Sequence, residues 1–386
     1  MRPLSERTAR FSESLIRRMT RISNECGAIN LSQGFPDFDP PKMLMDSLAQ
    51  VAYAGPHQYP VTWGAPNFRA AVAKKQSHFM GRPLDPDENV LITIGSTEAM
   101  IDTLMALCDP GDKVGLFSPY FENYVAEILM VNALPVYVPL IPPEFGFDAD
   151  MLEDAFRQGI KAFILCNPSN PSGKVFTRAE LEIIADLAKK YDVYIITDEV
   201  YEHIIFEPYE HVYMNSLPGM WERTVSCSSL SKTYHITGWR LGYAIAPPEL
   251  LDRIKQCHDF VTVGAPSPLM EACMAGLCAP LSYYDELHAQ YEHMKKVFVG
   301  GLRDLGFDYT DPQGAYYVMV NVADMARGDD VTFCERMARE VGVAAVPAST
   351  FFNTEQHDWV RFHFAKRDET LNEALDRLSS LRKIFK

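Results

Sequence analysis

The stretch from Ser229 to Arg240 combines a lysine with hydroxyls and a guanidinium, a set that suits covalent chemistry beside a phosphate. Apolar runs at 223–228 and 241–246 place Lys232 on a turn between two buried strands. Burial lowers the pKa of an amine, and the neutral amine is the nucleophile that forms a Schiff base with a carbonyl. Hydroxyls and a guanidinium bind a phosphate dianion. The stretch is also compatible with a polar loop that carries a surface lysine.

Two other predicted strands end in residues that suit a ligand. The apolar run 89–94 leads into a small-residue turn with Ser96 and Thr97 and then a helical pattern. The first amides of a helix are unpaired and favour an anion, although an ordinary helix cap on either residue explains the same pattern. The strand 113–117 is followed by aromatic residues that include Phe121. In open α/β sheets, ligands bind at this carboxyl edge.

Amide, carboxylate and phenol groups follow the next two strands. Asn170 lies in a turn with two Asn-Pro pairs after the run 161–166, and Asp198 and Tyr201 follow the run 192–197. A carboxylate at the end of a buried strand costs free energy unless it meets a cation or donors. Asp198 is therefore either part of a salt bridge in the core or the partner of a protonated ring nitrogen.

An arginine near the carboxyl end and a glycine near the amino end complete the candidate set. Arg361 lies in the alternating run 359–364, where it is either a solvated strand residue or a bidentate partner for a carboxylate. Gly34 lies in a loop rich in glycine and proline, 29–41, which is either a linker or a wall of a binding site.

Pyridoxal 5'-phosphate (PLP) is the cofactor that needs all of these groups together. Its phosphate needs amides, a hydroxyl and a guanidinium, and its ring needs an aromatic face. Its pyridine nitrogen needs a carboxylate that keeps it protonated, so that the ring can act as an electron sink. Its phenolic oxygen needs donors, its aldehyde carbon needs a lysine, and an amino-acid substrate needs a cation for its carboxylate. We therefore predict a PLP site.

Over nearly its whole length the chain resembles the fold-type I PLP enzymes of the class I/II aminotransferase family. The motifs that carry this resemblance lie at 33–38, 58–59, 167–173, 197–201, 229–233, 238–243 and 360–362. The loop with the sequence Gln-Gly-Phe-Pro-Asp-Phe, at 33–38, resembles the branch that holds methionine, kynurenine and glutamine-K-type transaminases. A transaminase of this family moves an amino group from an L-amino acid to a 2-oxo acid by a ping-pong route.

The resemblance implies a role for each residue around the cofactor ring. Lys232 would bind PLP covalently and then, once substrate displaces it, move a proton as base and acid. Asp198 would pair with the pyridinium nitrogen. Tyr201 and Asn170 would hydrogen-bond the phenolic oxygen, and Phe121 would stack on the ring.

The resemblance also implies residues for the phosphate, the substrate and a partner subunit. The phosphate would be held by the amides of Ser96 and Thr97, by Ser229 and by Arg240, with Ser231 assisting. Arg361 would bind the substrate carboxylate with help from Gly34 and Asn170. Tyr59 would reach the phosphate of the partner subunit, which implies a homodimer.

Substrate preference is predicted from two features of the sequence. Thr97 stands where aspartate-preferring relatives carry a lysine for the distal carboxylate, which argues against aspartate as the donor. Aromatic residues near the inferred pocket favour an apolar, aromatic or sulfur-containing side chain; they are Phe35, Phe38, Tyr120, Phe121 and Tyr124.

Charge and cysteine usage narrow the partners and the compartment. The net charge of -15 argues against nucleic acid and anionic membranes. None of the eight cysteines forms a CxxC pair, so we expect reduced thiols and neither a disulfide framework nor a metal site. No secretory h-region and no apolar run of membrane-spanning length is visible, and we expect a cytoplasmic protein with small-molecule substrates.

The 386 residues predict more than one core. Strand and helix patterns alternate from about 89 to 280, which predicts an α/β fold with one mainly parallel sheet covered by helices on both faces. The expected division is an arm with part of a small domain at 1–45, a large PLP-binding domain at 46–285, and a C-terminal small domain at 286–386. The small domain would be α+β and built from both chain ends.

Two other functions use the same site. A β-lyase acting on cysteine S-conjugates or cystathionine needs the same lysine and differs only in the fate of a β-substituent. A regulatory PLP-binding protein is the third interpretation. Regulators built on this fold carry an additional DNA-binding domain, whereas this acidic chain begins almost directly in the catalytic architecture.

Overall fold

The structure is a computed structural model that describes residues 2–5, 9–10 and 13–385. Its strands are β1 Ile29–Asn30, β2 Val90–Thr93, β3 Lys113–Ser118, β4 Leu134–Pro139, β5 Ile160–Cys166, β6 Tyr194–Asp198, β7 Thr224–Ser229, β8 Gly242–Ile245, β9 Tyr317–Asn321, β10 Val343–Ala344, β11 Val346–Pro347 and β12 Trp359–His363. Its helices are α1 Leu15–Cys26, α2 Lys42–Ala54, α3 Pro66–Met80, α4 Gly95–Leu107, α5 Asn123–Met130, α6 Ala149–Arg157, α7 Arg178–Tyr191, α8 Leu230–Thr233, α9 Pro248–Val261, α10 Ser267–Leu277, α11 Ser282–Asp304, α12 Ala323–Ala326, α13 Asp330–Arg336, α14 Asp368–Leu378 and α15 Leu381–Ile384.

Seven strands form one mainly parallel sheet in the order β2-β8-β7-β6-β5-β3-β4, which confirms the predicted α/β architecture. The pairs from β7 through β4 are parallel, and β8 alone runs antiparallel to both of its neighbours. The central strands β5 and β6 are largely apolar because helices cover both faces of the sheet.

Alternate residues of β5 show the two layers that flank this sheet. Phe163 and Leu165 pack on one face with the apolar residues of α6 and α7. Ala162 and Ile164 pack on the other face with those of α4 and α9. Successive side chains of a strand point to opposite faces, so one strand contributes to two cores.

A second, smaller core joins both ends of the chain. The antiparallel sheet β11-β12-β9 and the parallel pair β1-β10 belong to it. Met19 and Leu31 from the amino end pack in one cluster with Val318 and Phe362 from the carboxyl end. The predicted small α+β unit built from both ends is therefore confirmed, whereas the boundaries at 45/46 and 285/286 stay predictions.

The turns that carry the candidate residues differ in detail from the sequence expectation. Helix α4 begins at Gly95, so Ser96 and Thr97 lie within its first turn, and the alternative of an ordinary helix cap on either residue is not supported. Instead, the side chain of Glu98 accepts the N–H of Ile94. Lys232 lies in the short helix α8, between β7 and β8, and not in an open turn.

Among the described residues, none of the helices combines the length and the apolar character that crossing a membrane requires.

Candidate active site

A cavity of about 510 Å³ lies where the carboxyl ends of the sheet strands meet the smaller core. Parallel strands end at one edge of a sheet, so residues far apart in sequence converge there. Twelve of the thirteen predicted site residues line it: Gly34, Ser96, Thr97, Phe121, Asn170, Asp198, Tyr201, Ser229, Ser231, Lys232, Arg240 and Arg361. The thirteenth, Tyr59, lies outside the cavity and is 86% exposed. The geometry brings the set together, and the role of each residue stays a prediction.

Lys232 extends from α8 into the cavity, where its Nζ donates to the Gly34 carbonyl at 3.2 Å. Burial, followed by the nearby charges of Arg240 and Arg361, lowers the pKa of Lys232 to about 8, against the opposing effect of Asp198. An ordinary lysine has a pKa near 10.4. The neutral, nucleophilic form of this amine is therefore far more populated near neutral pH than it is in a surface lysine.

Asp198 lies at the base of the cavity, at the end of β6. Its Oδ2 accepts from the hydroxyl of Tyr124 at 2.5 Å, and its Oδ1 accepts from the amide of Val200 at 3.3 Å. Burial raises the pKa of Asp198, while these two donors and Lys232 oppose that rise. Within the described residues it has no ion-pair partner, so the interpretation as a salt-bridged core aspartate is not supported. A cation placed opposite it would hold it ionised.

Arg240 and the start of α4 face each other across one end of the cavity. Arg240 adopts a left-handed backbone with φ 56°, and its Nη1 donates to the Thr237 carbonyl at 3.0 Å. Its guanidinium packs so closely on Gly95 that a Cβ there would overlap it, and Gly95 itself has φ 74°. The first amides of α4 and a guanidinium therefore converge, which is an arrangement suited to an anion.

The two serines near Lys232 differ in how their hydroxyls are used. Ser229 donates its hydroxyl to the Leu241 carbonyl at 3.0 Å and accepts the amide of Ser231 at 3.0 Å, and so caps α8. The hydroxyl of Ser231 is buried and has no hydrogen-bond partner among the described residues. A buried polar atom without a partner is costly. Ser231 is therefore the hydroxyl with unused capacity for a ligand.

Arg361 is only 1% exposed, which excludes the interpretation as a solvated strand residue. Its Nη1 donates to Asn170 Oδ1 at 2.6 Å and its Nη2 donates to the Ser32 carbonyl at 2.8 Å. Its guanidinium lies between the rings of Tyr317 and Phe351, at 4.2 and 4.7 Å from their centroids. Both acceptors are neutral, so the charge of Arg361 has no carboxylate partner within the described residues.

Sequence and structure comparisons identify the family. The chain matches the sequence profile of "Aminotransferase class I and II" over residues 27–378. It belongs to this family. A probable N-succinyldiaminopimelate aminotransferase of Mycobacterium tuberculosis is 35% identical, with 96% of each chain covered. Methionine aminotransferase of Escherichia coli is 33% identical, with 95% of this chain and 96% of the relative covered.

A solved structure agrees with these relatives. Escherichia coli YbdL, which has a methionine aminotransferase function, superposes with a TM-score of 0.94 at 32% identity, and the match covers 99% of this chain and 100% of that chain. The predictions of an aminotransferase and of its fold type are confirmed. The comparisons favour this function over the β-lyase alternative.

Two tyrosines of this aminotransferase were not predicted to belong to the site. The hydroxyl of Tyr317 lies 2.8 Å from that of Tyr201, and Tyr316 donates to the Gly34 carbonyl at 2.8 Å. A Cβ at Gly34 would overlap the Tyr317 hydroxyl, so this close approach requires glycine. The sequence signal for them is that two adjacent tyrosines lie at the start of a buried strand. Successive side chains of a strand point to opposite faces, so one of the two points toward the cavity.

The predicted aromatic pocket is only partly present. Phe35 and Phe121 line the aminotransferase cavity, but Tyr120 stacks on Tyr137 and Phe38 packs edge-on against His235. Tyr124 does not line the cavity, but its hydroxyl donates a hydrogen bond to Asp198, which does. The mouth of the cavity also includes Ile16 and Arg17 of α1 and Glu122 at the start of α5, which were not predicted because their approach depends on how α1 packs against α5.

Proposed function

We propose that this aminotransferase is PLP-dependent and transfers the amino group of an L-amino acid to a 2-oxo acid by a ping-pong route. The observation that supports this most is the position of Lys232. Its amine has a lowered pKa and lies between a buried carboxylate, Asp198, and two guanidiniums, Arg240 and Arg361. A nucleophilic amine flanked by one anion and two cations matches a ligand with a cationic ring nitrogen and two anionic ends.

The residues present fit PLP. The amides of Ser96 and Thr97, the guanidinium of Arg240 and the unpartnered hydroxyl of Ser231 would hold the phosphate, with Ser229 shaping the turn. On the ring, Phe121 would stack and Asp198 would pair with the nitrogen. Asn170 accepts from Arg361 through Oδ1, which leaves its NH₂ group to donate, together with Tyr201, to the phenolic oxygen.

When bound, PLP would supply an electron-withdrawing ring that stabilises negative charge at the substrate Cα. The chain's own groups do the rest. The neutral amine of Lys232 removes the proton from the substrate Cα and later returns a proton as a general acid. Asp198 holds a proton on the ring nitrogen. Arg361 holds the α-carboxylate, and its fixed guanidinium orients the Cα–H bond toward Lys232.

For the substrate side chain we propose an apolar, aromatic or sulfur-containing group. Ile16, Phe35 and Phe121 give the mouth of the cavity apolar surface. Relatives named for methionine and for kynurenine agree with such a side chain. A donor with a distal carboxylate is the second candidate, because the guanidinium of Arg17 lines the mouth and makes no ion pair with any described residue. The N-succinyldiaminopimelate relative supports that alternative.

The active unit we propose is a homodimer in which Tyr59 enters the partner subunit's phosphate site. Exposed apolar side chains lie on the segment of Tyr59 and on the end of α9 and the loop after it: Val61 is 51% exposed, Phe260 91% and Val263 47%. The two segments are neighbours, since a Cβ at Gly264 would lie 3.3 Å from the Thr62 carbonyl. Exposed apolar residues on neighbouring segments are typical of a surface covered by another subunit.

The division at 1–45, 46–285 and 286–386 also remains part of the proposal, with the cavity between the two cores. A cavity in that position permits closure of the small unit on substrate.

All eight cysteines are free thiols. This agrees with the reducing cytoplasm as the compartment.

Single-turnover half-reactions test the proposal. Protein loaded with PLP is mixed with one amino acid in the absence of any 2-oxo acid, and the loss of visible cofactor absorbance is followed. We expect conversion with methionine, phenylalanine, tyrosine, kynurenine or glutamine, and poor conversion with aspartate. N-succinyl-L,L-diaminopimelate tests the second candidate, with Arg17→Ala as its matched variant.

Two results would contradict the proposal. One is a protein that binds no PLP or converts it with none of these donors. The other is release of pyruvate and ammonia from a β-substituted cysteine, without an acceptor, as the main reaction.

A further inference from the structure

Three ionisable side chains are buried together directly behind the phosphate-binding end of α4. Glu98 and Asp102 lie one turn apart on α4, and His258 faces both of them from α9. Glu98 is 5% exposed, and Asp102 and His258 are 0% exposed. None of the three lines the active-site cavity, so the proposed chemistry does not use them directly.

The hydrogen bonds fix the charge of two members. The Nε2–H of His258 donates to the Thr62 carbonyl at 2.7 Å, and its Nδ1 lies 2.8 Å from Glu98 Oε1. Glu98 also accepts the Ile94 amide and the Thr262 hydroxyl. Three donors on one carboxylate favour its ionised form, which makes the Glu98–His258 contact an ion pair. Despite burial, His258 has a raised pKa and Glu98 a lowered pKa.

Asp102 is the member without a donor. Neither of its oxygens has a hydrogen-bond partner among the described residues, and Oδ2 lies 3.7 Å from His258 Nδ1. Burial, and then the Glu98 carboxylate, raises the pKa of Asp102 to about 7. The ionisable groups that face it are Glu98 from its own helix and His258 and Cys257 from α9.

The same three side chains connect three segments of the chain. Glu98 holds the amide of Ile94, in the turn that precedes the phosphate-binding amides. His258 holds Thr62, three residues after Tyr59. Thr262, bonded to Glu98, precedes Val263, which has φ 70° although it is β-branched. A β-branched residue in this region is strained and persists only where its surroundings hold it.

We propose that His258 is a positioning residue for the phosphate site, whose charge offsets Glu98 and Asp102 and whose hydrogen bonds hold the turn before α4. This inference rests on the proposed PLP-dependent function. Two uncompensated carboxylates in the first turns of α4 would oppose a phosphate dianion at the end of the same helix. The imidazolium removes most of that opposition and leaves the helix amides available to the ligand.

A proton explains this cluster better than a metal ion does. Nitrogen and oxygen ligands at about 2.1 Å from a tetrahedral metal lie roughly 3.4 Å from each other. The observed 2.8 Å between His258 Nδ1 and Glu98 Oε1 is instead the distance of a charge-assisted hydrogen bond.

Cofactor binding to the apoenzyme tests the inference. We would measure the Kd of PLP, and competition by inorganic phosphate, for wild type, His258→Gln, Asp102→Asn and the double variant. His258→Gln should weaken PLP binding about 10-fold. Asp102→Asn should tighten binding a few-fold at pH 8.5 and less at pH 6, because wild-type Asp102 ionises between these values. The double variant should regain most of the affinity that His258→Gln loses.

The pattern of the double variant separates charge from structure. A purely structural role predicts that Asp102→Asn brings no gain in affinity, that the double variant binds PLP no better than His258→Gln, and that the melting temperature of the apoenzyme falls in parallel. A double variant that binds PLP no better than His258→Gln, or a His258→Gln protein that folds and binds PLP like wild type, would overturn the inference. If Asp102→Asn is the only variant that folds, its Kd for PLP at pH 6 and pH 8.5 decides. No gain in affinity over wild type, or an equal gain at both pH values, would overturn the inference. A stoichiometric metal ion in the purified holoenzyme that is lost in His258→Gln would also overturn it. Wild type that binds no PLP would contradict the proposed function itself.

Discussion

The cavity has two walls that hold their charged groups in different ways. The sheet wall comprises Asp198, Lys232 and Arg240, together with the first amides of α4, all at the ends of sheet strands. The β12 wall comprises Gly34 and Arg361 with the ring of Tyr317. Arg240 is half-buried and donates to one backbone carbonyl, whereas Arg361 is buried, donates to two acceptors and lies between two rings.

This difference indicates a division of labour between the walls. On the sheet wall, the buried Ser231 hydroxyl has no partner among the described residues and the first amides of a helix are unpaired, as expected for a surface that a resident ligand completes. On the β12 wall, Nε of Arg361 also lacks a partner among the described residues, but its two Nη groups are preset by their own contacts, as expected for a surface that must recognise an exchanging substrate without reorganising. Variants of the sheet wall should therefore change cofactor binding or chemistry, and variants of the β12 wall should change substrate binding.

The largest effect is expected at Lys232. Lys232→Ala removes both the nucleophile and the proton-transfer group, so turnover should fall by roughly 10²–10⁴-fold or more. The cofactor should still bind through the remaining phosphate contacts, but its covalent attachment should be lost, which borohydride reduction and intact mass would show. Lys232→Arg is the matched control, since it keeps a cation but supplies no nucleophile. Normal turnover in either variant would break the assignment of the sheet wall.

The β12 wall is tested by Arg361→Ala, with Arg361→Lys as its control. Loss of charged hydrogen bonds worth about 1.5–3 kcal/mol should raise KM for every amino acid by roughly 10–100-fold. The lysine variant should recover little, because an ammonium cannot make the planar paired contact. Steady-state kinetics and the Kd of PLP would be measured together. An unchanged KM, or a weakened Kd for PLP with normal KM, would reverse the division between the walls.

Arg240→Ala provides the opposite case on the sheet wall. The guanidinium faces the α4 amides, so its loss should weaken PLP binding by about 10-fold while KM for the amino acid changes little once cofactor is saturating. Equilibrium dialysis of cofactor and kinetics at saturating PLP would show this. A matched surface variant is Arg253→Ala, since Arg253 is exposed and does not line the cavity. Equal effects from these two variants would remove Arg240 from the phosphate site.

The smallest effect is expected at the contact between Tyr317 of the β12 wall and Tyr201. Tyr317→Phe keeps the ring over Arg361 but removes the hydroxyl 2.8 Å from that of Tyr201. Losing one neutral hydrogen bond of about 0.5–1.5 kcal/mol should change kcat by roughly 2–10-fold and shift the pH dependence of the cofactor's visible absorbance. The apoenzyme's melting temperature controls for stability. A change in KM alone would place Tyr317 with the substrate instead of with Tyr201.

The sheet wall was largely predictable from the sequence because its members lie close to the ends of predicted buried strands. Asp198 ends β6 and Lys232 follows β7, and buried parallel strands bring their ends together without further information. On the β12 wall, Gly34 and Arg361 were predicted from the sequence, but Tyr317 was not. Which rings pack on Arg361 depends on how the smaller core packs, which the sequence pattern alone does not determine.

The contacts that escaped prediction join residues that are distant in sequence. Tyr201 and Tyr317 are 116 residues apart, and Glu98 and His258 are 160 residues apart. Neither pair follows from periodicity, since each partner alone has the pattern of an ordinary buried residue. At the start of α4, the alternative of a serine or threonine cap is not realised for a local reason, because the side chain of Glu98 reaches back to the amide of Ile94.

The position of β2 in the sheet has a consequence for synthesis of the chain. β2 lies at the sheet edge, and its partner there is β8, with Val90 opposite Ile245. While the ribosome has not yet released residues 242–245, the strand that leads into the turn at Gly95 lacks that partner. Pairing β2 with β8 requires closure of the long chain segment between them, which is entropically slow. Contacts between residues so far apart in sequence form late in folding. With the proposed function, the half-made chain would therefore lack a completed phosphate site, and we expect capture of PLP to follow translation of most of the polypeptide.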